Sequence, residues 1–194
     1  RSIAVTGVQT CALPIWLTLL VGDLLELSRI ESGRMELKMV SRAPREILQE
    51  VQEDWRRAFD AKRVKIRLDC PSGLPAVRVD PLRVGQVFSN LMENALGFAP
   101  IGSEVVLAAR MGDLSGEVEF TVRDEGEGIP ADKVGRIFER FFRVDPGRVR
   151  EKGGTGLGLS IVKHLVQLHG GKVWAKSGVG LGTQILLTLP AGKG

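Results

Sequence analysis

From residue 16 onward, apolar positions recur at three- and four-residue steps. Leu17, Leu20, Val21, Leu24, Leu27 and Ile30 place one stripe on a helix over residues 16–31, a rod about 25 Å long. A lone helix cannot bury such a stripe, so it needs a partner on the globular domain or on a second chain. Residues 34–40 (RMELKMV) alternate as a strand. Pro44 opens an amphipathic helix marked by Ile47, Leu48, Val51, Trp55, Ala58 and Phe59, and residues 64–68 alternate again. Pro81 starts a helix whose core face is Val84, Val87, Phe88, Leu91, Ala95 and Phe98.

Residues 104–110 and 117–123 read as a hairpin across MGDLSG. Residues 124–156 are glycine-rich, basic and weakly periodic, interrupted by a short helix over 131–138. A helix over 157–169 and strands over 172–176 and 183–189 complete the chain. Strands in one layer and helices on one face predict an α/β (α+β) two-layer sandwich. No internal repeat of 20 to 50 residues is apparent. Residues 1–15 (RSIAVTGVQTCALPI) carry neither caps nor this periodicity. They resemble translated adapter sequence and are set aside as non-native.

Composition narrows the classes. A chain of 194 residues, 43% hydrophobic and 26% charged, supports one cored domain with a short appendage and not a disordered segment. The longest apolar run, residues 11–21, contains Pro14 and Thr18 and falls short of the roughly 18 to 20 residues a span needs. This segment is therefore expected to make no membrane contact, although a parent is free to carry an inner-membrane anchor. Cys11 and Cys70 lie far apart with no CxxC spacing, which leaves a reducing, cytoplasmic setting as the default. The net charge of +4 matters only if it clusters. Thirteen of 24 glycines fall between Gly126 and Gly182. Glycine concentrated where strands and helices persist predicts backbone approaching a ligand.

Asn90, Asn94 and Gly97 fall at i, i+4 and i+7, a polar stripe beside the apolar one. Carboxamides there cap turns or face solvent as readily as they bind. An amide oxygen also suits Mg²⁺ when a triphosphate supplies the negative charge. In DEGEGIP, Asp124 ends a strand whose Val118, Phe120 and Val122 face inward. It can cap a turn, or accept a hydrogen bond from a purine amine while Gly126 and Gly128 admit the ring. GGTGLGLS (153–160) runs into the helix bearing Ile161, Val162 and Leu165, offering unpaired N–H groups to an anion or simply forming a hinge. It lacks the GK[ST] ending of a Walker loop. Between these loops Arg140, Arg143, Arg148, Arg150 and Lys152 interleave with Phe141 and Phe142. Such a run is a solvated face, a nucleic-acid patch or, given the flanking glycines, a lid over a nucleotide. GLGT (180–183) precedes the last strand.

The ordered set NxxxN, DxGxGI, FxxFF, GTGLGL and GxGT resembles the N, G1, F, G2 and G3 boxes of the ATP-binding domain of sensor histidine kinases, over about residues 34–190. DLLELSRIESGRMEL (23–37) resembles the end of that family's second dimerisation-bundle helix. The resemblance implies the Bergerat fold, shared with gyrase, Hsp90 and MutL ATPases, and three segments: 1–15 non-native, 16–33 bundle helix and 34–194 ATP-binding domain. It implies ATP and Mg²⁺ as cofactors. Asp124 would read the adenine amine with Thr183 in support, and Asn94 would hold Mg²⁺ with help from Asn90. Gly154, Thr155, Gly156, Leu157 and Gly158 would hold phosphates, with Arg140 and Arg143 at the γ-phosphate. Phe98, Ile129 and Leu157 would wall the pocket beside Gly126 and Gly128. A response regulator and a homodimer through the bundle helix would be the parent's partners, with no nucleic acid.

Four positions refine that expectation. Where related ATPases carry a water-activating glutamate, this chain has Asn90, an amide without useful basicity. Phosphoryl transfer depends more on positioning and charge neutralisation, so the amide is compatible with a kinase. Gly97 stands where lysine is common, removing one phosphate contact. His164 and His169 both lack the [DE]xRTP sequence of a phosphoacceptor and are expected to be helix-surface or packing residues. The chain thus reads as a kinase portion whose first bundle helix, with the acceptor, is missing. The alternatives are a catalytically silent nucleotide-binding module and a Bergerat ATPase or anti-sigma-type serine kinase.

Overall fold

A computed structural model describes residues 7–33, 35–113, 116–144 and 155–192. In chain order the elements are α1 (Gly7–Glu31), β1 (Val40–Arg42), α2 (Pro44–Lys62), β2 (Lys65–Asp69), β3 (Val77–Val79) and α3 (Pro81–Phe98). They continue with β4 (Glu104–Met111), β5 (Glu117–Asp124), α4 (Ala131–Val134), α5 (Gly158–Leu168), β6 (Val173–Ser177) and β7 (Thr183–Pro190). Five strands form a sheet in the order β2-β4-β5-β7-β6. Only the β2–β4 pair is parallel. Helices α2, α3 and α5 pack on this sheet, giving the expected two layers.

Alternation along the strands builds the core. Leu107 of β4, Val118, Phe120 and Val122 of β5, and Leu187 and Leu189 of β7 are buried together with Val87, Phe88 and Leu91 of α3 and Ile161 and Leu165 of α5. Each side chain of this size contributes roughly 1.5–3 kcal/mol on burial. The rings of Phe88 and Phe120 meet edge to face, with centroids 5.8 Å apart at 68°. Because Asp124 shares the parity of Val118, Phe120 and Val122, it stands on the same helix-facing side at the strand's end.

Five expectations are corrected. Phe98, placed with the core face of α3, is 51% exposed at the end of that helix. The first helix reaches back to Gly7, through Pro14, which contributes no N–H to the intrahelical ladder. Its stripe divides: Leu27 and Ile30 are buried and Leu20 packs against the core, whereas Leu17, Val21 and Leu24 are exposed. A 25-residue helix outreaches the face it lies on. Of residues 34–40, only Val40 enters a strand, and it pairs with β3 in a separate two-stranded sheet. Met35, Leu37 and Met39 are half-buried and Glu36 and Lys38 exposed, so the alternation belongs to an extended strap. The short helix ends at Val134, followed by turns.

The strap is held at Asp80, the N-cap of α3. Its Oδ1 accepts from Arg83 N–H at 3.2 Å and its Oδ2 from Lys38 N–H at 2.8 Å. Asp80 N–H donates to His169 Nε2 at 3.1 Å, and His169 Nδ1–H donates to the Leu165 carbonyl at 2.7 Å. These partners fix a neutral imidazole protonated at Nδ1. His169 is buried, the packing role expected for it. Burial pushes the Asp80 carboxyl up, but N–H groups of Lys38, Arg83 and Leu82 outweigh it and hold the group below its usual range. A depressed carboxylate stabilises the fold above its unfolded pKa and loses that contribution as pH falls through its folded pKa. Replacing Asp80 by Ala should therefore cost roughly 1–2 kcal/mol at pH 7. In urea melts the deficit should shrink on acidification below about pH 4.

Candidate functional site

Asn90, Asn94 and Phe98 recur at four-residue steps on one side of α3, spanning about 12 Å. Both ends of this ladder meet a glycine loop. A Cβ added to Gly158 would stand 3.1 Å from Asn90 Oδ1. A Cβ added to Gly126 would stand 2.7 Å from Asp124 Oδ1 and 3.0 Å from the Phe98 carbonyl. Asn94 lies between, half-buried, while Glu93 is exposed. Asp124, Gly126 and Phe98 are thus gathered at one end and Asn90, Leu157 and Gly158 at the other.

The Asp124 end is shaped by backbone. Asp124 is 8% exposed, and its Oδ1 accepts from Gly126 N–H at 2.8 Å. Burial pushes its carboxyl up, opposed by backbone N–H groups of Gly126, Thr183 and Asp124 itself. No cation pairs with it among the described residues. Thr183 is its register partner on β7 and serves it through the main chain. The Thr183 hydroxyl lies instead 3.2 Å from Ser177 Oγ. Ser177 was not anticipated: its Oγ accepts from Ile129 N–H at 2.9 Å and donates to the Gly182 carbonyl at 2.7 Å, joining the two glycine turns. Only its position opposite Thr183 in the final hairpin hinted at it. Gly128 (φ 73°) and Gly182 (φ 74°) sit where an added Cβ would lie 1.9 Å from the Gly178 carbonyl oxygen and 2.1 Å from that of Asp124.

At the other end, Leu157 is fully buried and caps α5 without a side-chain hydrogen bond. Thr155 Oγ1 accepts from Leu157 N–H at 3.2 Å. Phe141 N–H donates to the Gly156 carbonyl at 2.9 Å, bringing the aromatic run to the second glycine loop. Phe141 adopts φ 60°, costly for an aromatic residue. Arg140 is exposed, whereas Arg143 is half-buried, and burial pulls its guanidinium below the usual value. Gly154, with Gly153, Arg148, Arg150 and Lys152, lies outside the described residues. Among the described residues no group of three His, Cys, Asp or Glu could hold a metal by itself. A groove of about 560 Å³ between α1, α2 and α3 contains none of these residues.

Residues 79–193 match the family described as Histidine kinase-, DNA gyrase B-, and HSP90-like ATPase. The chain belongs to this family. It is 39% identical over 175 residues, 90% of its length, to the alginate biosynthesis sensor protein KinB of Pseudomonas aeruginosa, covering 28% of that protein. It is 38% identical over 176 residues to the sensor histidine kinase WalK of Bacillus subtilis, covering 88% of this chain and 28% of WalK. The chain therefore spans about three tenths of these relatives. Full-length ShkA, solved in complex with AMPPNP, superposes with a TM-score of 0.81 at 31% identity, over 92% of this chain and 36% of that one. The catalytic domain of the histidine kinase ThkA gives 0.68 at 25% identity, over 81% of this chain and 97% of that one.

A raised carboxyl is a charged group that folding penalises, so stability falls as pH rises from the unfolded toward the folded pKa of Asp124. Asp124→Asn keeps the acceptor for Gly126 and removes the charge. The variant should melt at or above the wild-type temperature at pH 7, with the gap closing toward about pH 4; calorimetric melts across that range decide it.

Proposed function

We propose that this chain is the ATP- and Mg²⁺-binding kinase domain (34–194) of a two-component sensor histidine kinase, carrying part of its dimerisation helix (16–33) behind a non-native segment (1–15). The observation that carries the reading is the α3 ladder, with a buried carboxylate and glycine turn at one end and the glycine start of α5 at the other. In this reading Asp124 accepts the adenine amine's hydrogen bond. Gly126, Gly128, Ile129 and Phe98 border the base, and Thr183 orients the carboxylate.

Gly154, Thr155, Gly156, Leu157 and Gly158 take the phosphates. The N-terminus of α5, whose cap residue Leu157 makes no side-chain hydrogen bond, favours anions there through its first-turn N–H groups and its dipole. The donor set fits magnesium, because a half-buried carboxamide contributes one hard oxygen where the nucleotide provides the charge. Asn94 would be that ligand, assisted by Asn90, and the ion would neutralise the triphosphate. Arg140 and Arg143 would stabilise the γ-phosphoryl as it passes to a histidine imidazole, with ADP leaving and a proton released from the ring. Asn90 cannot act as a strong base, so water is a poor competitor for the phosphoryl group.

The acceptor is neither His164 nor His169. His169 is committed to Asp80 and Leu165, and His164 Nδ1 lies 2.7 Å from the Ser160 carbonyl. The exposed Leu17, Val21 and Leu24 would join the bundle of a homodimeric parent, which would address a response regulator.

Titration calorimetry with Mg·ATP should show binding that Asp124→Asn and Asn94→Ala each weaken at least tenfold. Incubation with γ-labelled ATP should leave this chain without acid-labile label; label on it would refute the assignment of the acceptor elsewhere. Gly97 has open space around an added Cβ. Gly97→Ala should stabilise α3 by up to about 1 kcal/mol, and Gly97→Lys should in addition tighten ATP binding relative to Gly97→Ala.

A further inference from the structure

One face of α1 lies on the domain through Asp23, Glu26, Leu27 and Ile30, at i, i+3, i+4 and i+7. Leu27 and Ile30 are buried in the core. Glu26 Oε1 accepts from Arg83 Nη1 at 2.6 Å, and its second oxygen accepts from Gln86 Nε2. One turn earlier, Asp23 Oδ2 accepts a hydrogen bond from Thr155 Oγ1 at 2.7 Å. Thr155 in turn accepts from Leu157 N–H, at the start of α5. A carboxylate on α1 is therefore two hydrogen bonds from the N-terminus that would receive phosphate. Glu26 has its own cation in Arg83, whereas Asp23 has none in any described ion pair.

We propose that Asp23 is a positioning residue whose carboxylate latches the Thr155 loop and opposes a triphosphate there, making docking of α1 and binding of ATP antagonistic. The inference rests on the nucleotide reading above and adds its regulation. While α1 is docked, the Thr155 hydroxyl is turned to the helix and a negative charge stands at the edge of the anion site. A triphosphate arriving there meets a repulsion that an uncharged nucleoside does not. Coupling is reciprocal, so ATP loosens the α1 contact by the factor with which α1 weakens ATP. The two-state element is α1, held by the buried Leu27 and Ile30, by Leu20 packed against the core and by three polar contacts.

The experiment compares ATP and adenosine on the full chain by titration calorimetry. Asp23→Asn retains an acceptor oxygen for Thr155 and loses the charge. It should tighten ATP binding about three- to tenfold at low salt and leave adenosine affinity unchanged. The difference should shrink as salt rises, because the repulsion is screened. Glu26→Gln, which removes a charge already paired with Arg83, should not alter the ATP-to-adenosine ratio. A ratio unmoved by Asp23→Asn, or moved equally by Glu26→Gln, overturns the latch while leaving the nucleotide site standing. Failure of the wild-type chain to bind either ligand overturns the nucleotide reading and the latch with it. ATP-accelerated amide exchange in residues 23–31, abolished by Asp23→Asn, would support the reciprocal half; unchanged exchange would overturn it.

Discussion

A buried carboxylate without a described cationic partner governs the centre of this molecule. Asp124 ends the middle strand of the sheet, on the side that faces the helices, and only backbone N–H groups temper its burial. Such a group costs stability unless something uses it. The surrounding backbone is built to leave it room. Gly126, Gly128 and Gly182 stand where any side chain would collide with Asp124, Phe98 or a carbonyl oxygen. The sheet supplies rigidity, since β5 is flanked on both sides and its register to β7 sets Thr183 opposite the carboxylate.

The second organising element is α3. Its apolar face enters the core and its amide stripe faces the glycine loops, so one helix determines the distance between the two ends of the site. Its own placement depends on polar contacts at both termini. Asp80 caps its start and ties it to the strap and to His169, while Lys62 of α2 donates to the Leu96 and Gly97 carbonyls at its end. That lysine satisfies carbonyls the helix leaves open. The ladder's geometry is therefore held by groups that lie outside the ladder itself.

Under the proposed function, the choice between hydrolysis and phosphoryl transfer would rest on a single polar residue. Asn90 sits against Gly158, at the end where the proposal places the phosphates, and offers hydrogen bonds without basicity. The second glycine loop is backed by the aromatic run through the Phe141–Gly156 hydrogen bond, which in the proposed reading would help hold a triphosphate. Under the proposed latch, the α1 contact at Thr155 would let that helix sense the state of the loop.

Most of the architecture was legible along the chain, because period-two and period-3.6 patterns report which side of an element is buried. The hairpin of β4 and β5, the limits of α3 and α5 and the final strand pair all follow from that pattern and from Pro81. The polar residues of the candidate site were legible for another reason: glycine and carboxamide spacing encodes backbone approach and helix sides locally. What local spacing cannot express is pairing between distant segments. Alternation over residues 34–40 marked a half-buried strap, and only the position of Asp80 decided that it would find a cap and a three-residue partner instead of the main sheet. The apolar stripe of α1 was evident, but its division into a docked and an exposed half depended on where the domain's surface ends. Ser177 and Asp23 became significant only when folding brought them to Ile129 and to Thr155, the latter 132 residues away. Sequence determined which surfaces must be buried and which backbones must come close; the tertiary structure alone decided what meets them, since that depends on contacts whose two halves lie far apart in the chain.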